Sequence, residues 1–182
     1  MLLMAFVAIL PLKMQAQIVD PVKWAFSIQE VNETEIDLVA TATVDPSYHI
    51  YSTKMPALGP LPTEYEFDSS NDFEVVGEAR DVTEGEKFYD DIFEVEYVQF
   101  KGTAVYAQRL KKLTDSAFMV VGTIKGQACK DGMCVPVSAD FEISVPGANG
   151  ETVTEAISTP AETNDDSAKT DERQAGLSAG DD

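Results

Sequence analysis

VVGTIKGQACKDGMCVPVSADFEISV, residues 120–145, holds both cysteines of the 182-residue chain. Two alternating apolar–polar runs meet at Asp131-Gly132. A two-residue type I′ turn needs positive φ at both central positions, and Asp-Gly is a strong signal for it. The segment therefore reads as a β-hairpin. Lys130 and Met133 become the hydrogen-bonded pair flanking the turn, and Cys129 and Cys134 the next pair out, facing each other without ladder hydrogen bonds. Such pairs have Cα atoms about 4.5 Å apart, at the short end of disulfide geometry. A bridge is expected to form with some strain, and strained exposed bridges are the more easily reduced ones.

The pair could be a staple, part of a metal site or a working redox couple. As a staple it closes a loop of about six residues, which restricts the unfolded chain by about 2 kcal/mol on the chain-entropy model. Structural zinc takes four ligands, whereas the chain offers two cysteines and one histidine, His49. A Cu(I) site of Cys129, Cys134 and Met133 fits that ion's soft ligands. A thioredoxin-like reductase would carry C-x-x-C before a helix; here C-x4-C lies between strands. Without a helix N-terminus, and with Asp131 beside Lys130, the free thiols are expected at or above their ordinary pKa of about 8.5. The bridge then reads as a target for a partner's activated thiolate. Pro136 cannot donate to a ladder, so CVPV reads as an edge strand or bulge that leaves the hairpin reachable.

Outward from the hairpin the period stays at two. TEIDLVATATV (34–44), IFEVEYVQF (92–100) and FMVVGTI (118–124) are rich in Val, Ile, Thr and aromatics, as strands are. KWAFSIQ (23–29), SYHIYS (47–52), EYEFD (64–68), FEVVGEA (73–79), GTAVYAQRL (102–110) and ADFEISV (139–145) add further short candidates, and no stretch carries a helical stripe. Eight or nine short strands over about 130 residues predict an all-β, immunoglobulin-like β-sandwich. A closed barrel is the alternative, which periodicity does not separate.

The ends differ from this middle. An apolar run from Leu2 to Leu12 leads to Gln15-Ala16-Gln17, so residues 1–16 read as a signal peptide cut after Ala16. Export would place the cysteines in an oxidising compartment. Residues 147–182 hold no aromatic residue and nine acidic ones against Lys169 and Arg173. Such a segment buries too little apolar surface to offset chain entropy, and reads as a disordered acidic tail or linker. One ordered domain, residues 18–146, lies between. The formal charge of -19 argues against nucleic acid, because no basic stripe is present to neutralise phosphates. It favours basic or cationic-rimmed partners.

DPVKWAFS (20–27), SYHIYS, LGPLPTEYEF (58–67), EKFYDDIFEVEY (86–97) and GQACKDGMCVP (126–136), in that order, resemble a known family. It is the N-terminal periplasmic domain of the thiol:disulfide interchange protein DsbD, in its Bacteroidetes-like form, and the similarity runs from about Val19 to Val145. The resemblance implies an immunoglobulin-like sandwich with a redox-active disulfide and no cofactor or metal. Its partners would be a thioredoxin-like electron-donor domain, supplied through a membrane electron-transfer subunit, and periplasmic disulfide isomerases or cytochrome c maturation thioredoxins. It also implies that Cys134 forms the mixed disulfide and Cys129 resolves it. Phe88, with Tyr89 and Glu86 beside it, would be the aromatic cap, and His49 and Tyr51 would lie near the cysteines. The hairpin is one residue shorter than in the enteric form, and Val137 stands where a second proline is often found. Membrane and thioredoxin-like segments are absent from these residues, so such a donor is expected on a separate chain or a further C-terminal part.

Two other functions fit the same residues. One is a non-catalytic exported binding module with an inert bridge; the other is the copper-handling domain. Phe88 and Tyr89 as ordinary core aromatics, and His49 as a structural histidine, are the plainer alternatives for the cap and its neighbours.

Overall fold

The computed structural model describes residues 19–91 and 94–150. The signal-peptide expectation and all but the first four residues of the expected tail lie outside them. The described residues form ten strands and no helix: β1 (Val22–Glu30), β2 (Glu35–Val44), β3 (His49–Tyr51), β4 (Glu64–Phe67), β5 (Phe73–Asp81), β6 (Glu86–Asp90), β7 (Val95–Phe100), β8 (Thr103–Lys112), β9 (Phe118–Lys130) and β10 (Met133–Val145). One antiparallel sheet runs β1-β2-β8-β5, and the other β10-β9-β3-β7-β6, with β4 also on β9. The two sheets remain separate with free edges, so the sandwich holds and the barrel does not.

Each of the nine sequence-predicted segments contains a strand. The tenth, β6, escaped because it is an edge strand paired to β7 alone, and four of its five residues are exposed. Burial therefore imposes no alternation on EKFYD.

The core follows period two. Along β2, Ile36, Leu38, Ala40, Ala42 and Val44 are each at most 3% exposed, while Glu35, Val39, Thr41 and Thr43 between them are more open. They meet two clusters continuous with β8, β9 and β10. One is built around Ile50, Phe100, Tyr106, Ile124 and Ala128, the other around Leu110, Phe118, Val120, Phe141 and Val145. Gly122 on β9 permits β4 to approach. A Cβ there would fall 2.2 Å from the Glu66 carbonyl oxygen and 2.7 Å from the Phe141 ring.

The outer face of the first sheet carries one buried charge cluster. Asp37 opposes Arg109 in the β2–β8 register and its side chain is 5% exposed. Arg109 Nε donates to Asp37 Oδ1 at 2.6 Å and Arg80 Nη2 to Oδ2 at 2.5 Å. Burial pushes the Asp37 carboxyl up, but the two guanidinium hydrogen bonds and their charges outweigh it and hold the carboxyl below its ordinary value of 3.8. A carboxyl depressed in the folded state stabilises it above the unfolded pKa, and this contribution is lost as pH falls through the folded value. Asp37→Asn is expected to lower stability at pH 7 by about 2 kcal/mol, as for a lost charged hydrogen bond. The gap from wild type should close below pH 3.8, read from denaturant midpoints across pH. An equal gap at pH 7 and pH 2 would contradict this account.

Candidate functional site

The hairpin forms at the predicted register. Asp131 and Gly132 have φ of 49° and 78°, both in the left-handed region a type I′ turn requires. Lys130 pairs with Met133 and Cys129 with Cys134. The cysteines are disulfide-bonded, with Cα atoms 4.1 Å apart.

The two sulfurs occupy unlike surroundings. Cys134 lies on the edge strand β10 and is exposed. Cys129 lies on β9, flanked by β3, and is 2% exposed. It is buried in a small cluster with Tyr51 and Tyr97, against which Met55 and Val95 pack. Gln127 Nε2 donates a weak hydrogen bond to Cys129 Sγ at 3.7 Å.

Strand parity gathers most of the site on one face, since side chains two apart, and partners directly opposite, point the same way. Cys134 pairs with Cys129 and Cys129 with His49. Tyr51, two residues from His49, pairs with Gln99, which pairs with Glu86. Phe88, two residues from Glu86, pairs with Tyr97. This face points away from the sandwich interior, because Ile50, Phe100 and Ala128 of the opposite parity enter the core.

His49 is half-buried, its Nε2 3.0 Å from the Tyr51 hydroxyl. Phe88 packs on Tyr97 with ring centroids 5.3 Å apart and remains 45% exposed, so it is no core aromatic. Glu86 Oε2 accepts from Gln99 Nε2 at 3.5 Å and Lys101 Nζ at 3.4 Å. Tyr89 departs from the group. It opposes Glu96, on the other face of the β6–β7 hairpin, and is 56% exposed. Met133 likewise alternates away from Cys134 and is 62% exposed, which removes the thioether from the face that a Cys129–Cys134–Met133 copper site would need. Among the described residues no group of three or more His, Cys, Asp or Glu is placed to hold a metal.

Several residues were not anticipated from the sequence. Tyr97 and Gln99 are 8% and 7% exposed, and the parity of VEYVQF could have shown that they share a face. Tyr106 and Thr63 hold the site from beneath, their hydroxyls donating to the Tyr51 carbonyl at 2.9 and 2.7 Å. Nothing local marks either role, because the partners are 55 and 12 residues away.

Electrostatics leave the buried side of the site uncharged at neutral pH. Burial, and then the Tyr97 and Asp90 side chains, push the Tyr51 hydroxyl up to about 12. Burial and Asp90 raise Tyr97. Burial and the Lys101 charge lower His49 against an opposing pull from Glu86. The resulting site has one reachable sulfur, one shielded sulfur, and neutral proton-bearing groups beside the shielded one.

The model of the family described as thiol:disulfide interchange protein DsbD, N-terminal, matches residues 15–146. Among solved structures, the Neisseria meningitidis DsbD N-terminal domain in the reduced form is 20% identical, with a TM-score of 0.42, over 69% of this chain and 86% of that one. The N-terminal periplasmic domain of ScsB from Proteus mirabilis is 14% identical, with a TM-score of 0.49, over 75% of this chain and half of that one. Comparison with curated proteins gives no match. With a bonded cysteine pair on the outer face of an all-β sandwich, and a family match across the whole described domain, the chain belongs to the family of the DsbD N-terminal domain.

Proposed function

We propose that this domain is a periplasmic electron relay between a thioredoxin-like donor and periplasmic disulfide partners such as isomerases or cytochrome c maturation thioredoxins. The observation that carries the reading is the contrast between exposed Cys134 and buried Cys129. A docking thiolate that reaches the bridge meets Cys134 first. Its attack forms a bond to Cys134 Sγ and breaks the bridge, and the electron pair leaves on Cys129, which then takes a proton. The donor's second thiol displaces Cys134 from the mixed disulfide, so donor dithiol becomes disulfide and the Cys129–Cys134 bridge becomes dithiol. The reverse sequence hands both electrons to an oxidised partner.

Phe88 caps the face in this reading, and Glu86, held by Gln99 and Lys101, anchors the strand that carries it. The periplasmic setting rests on the apolar N-terminal run and on the family.

Trapping tests the order of attack. Thioredoxin with its second active-site cysteine replaced by serine, activated at the remaining thiol, should form a disulfide-linked heterodimer with the Cys129→Ser variant at neutral pH. It should form almost none with Cys134→Ser. Equal trapping by both variants would remove the assigned order, and trapping by neither would leave an inert bridge. For the cap, Phe88→Ala should speed reduction of the wild-type bridge by dithiothreitol several-fold, followed by thiol appearance. An unchanged rate would take Phe88 out of the gate.

A further inference from the structure

We infer that His49 is the proton acceptor for Cys129 when the bridge closes, and returns that proton when the bridge opens. This rests on the exchange function proposed above. In closing, Cys134 is joined to a partner's sulfur and Cys129 is a thiol. The Cys129 proton passes to the imidazole, the sulfur attacks Cys134 Sγ, and the bond from Cys134 to the partner breaks with its electron pair on the partner's sulfur. Opening runs these transfers backwards: the proton given up by the partner's thiol as it attacks Cys134 is taken up by the imidazole from solvent and handed to the expelled Cys129 thiolate.

Burial creates the need. Cys129 is 2% exposed, and a buried thiolate is disfavoured, so its proton requires an acceptor inside the site. His49 is its direct cross-strand partner on the same face. Side chains so placed have Cβ atoms about 4.5–5.5 Å apart. The His49 ring is fixed by the Tyr51 hydroxyl, with Nε2 to Oη 3.0 Å, and Tyr51 itself lies in the Cys129 cluster.

The other groups facing the histidine serve less well. On its own strand, the Tyr51 phenol stays protonated at neutral pH, as does Tyr97 on β7, which burial and the Asp90 charge raise above its ordinary value. Gln127 on β9 offers an amide donor. Lys101, just past β7, is a cation that disfavours imidazolium. Glu86 is a base, but it stands on β6, two strands beyond β3, and is engaged by Gln99 and Lys101. Burial and Lys101 hold His49 below its ordinary value of 6.5, so at neutral pH it is already the free base.

Ellman's reagent separates the steps on the full reduced protein. Exposed Cys134 attacks first and releases one thionitrobenzoate; Cys129 then closes the bridge and releases a second. In wild type the second, unimolecular phase should rise with pH as the histidine loses its proton and level above about pH 6.5. In His49→Gln it should be at least tenfold slower at pH 7, in keeping with the effect of a lost general base, and keep climbing into the alkaline range, with the first phase unchanged. His49→Tyr keeps a ring without a neutral-pH base and should behave alike, which guards against a folding defect in one variant. Second phases equal to wild type in rate and pH course in both variants would overturn the inference while leaving the exchange function standing. Release of a single equivalent by wild type would overturn both.

Discussion

Positive φ at Asp131 and Gly132 fixes which residue of β10 faces which residue of β9. All thirteen pairs of that ladder, from Met133↔Lys130 to Val145↔Phe118, inherit the register of this turn. Because side chains alternate, a slip of one residue would carry every side chain of one strand to the opposite face. Cys134 would then point away from Cys129, and Val137 and Phe141 would leave the core they help to close. The same turn therefore decides both the bridge and the packing of the second sheet.

The site is built on the outside of the sandwich but fastened to its inside. β3 has three residues, too few to hold its own position by ladder bonds. Its final carbonyl, that of Tyr51, takes hydrogen bonds from the Tyr106 hydroxyl of the facing sheet and from Thr63. Tyr106 is fully buried, and a buried hydroxyl left without a partner is costly, so the two hydroxyls and that carbonyl secure one another. The strand held in this way presents His49 and Tyr51 beside the shielded sulfur.

Much of this was legible in the chain, for identifiable reasons. The hairpin could be read from Asp-Gly, because few residue pairs accept two positive φ angles, and the cysteine register followed by counting. The nine strands were legible where burial on one face enforces alternation, as along TEIDLVATATV. β6 was not, since an edge strand with four exposed residues is free of that constraint. Cys129, Cys134, His49, Tyr51, Phe88 and Glu86 share a face, whereas Tyr89, adjacent in sequence to Phe88, falls on the other one because neighbours alternate. The Asp37 cluster and the hydroxyls beneath Tyr51 join residues far apart in sequence, which propensity and period do not reveal.

Pro136 sits in the open edge of β10, opposite Gln127. Counted from the turn, this pair has no ladder hydrogen bonds between its members, so the donor that proline lacks would have pointed into solvent and the bond network to β9 loses nothing. The outer margin of the sheet instead acquires a gap two residues from the exposed Cys134. An uninterrupted margin is a template on which a second molecule can zip, strand against strand, into dimers or fibres. With the gap in place, the exchange proposed above would let a visiting protein approach the bridge for a brief covalent encounter without that approach maturing into permanent self-association.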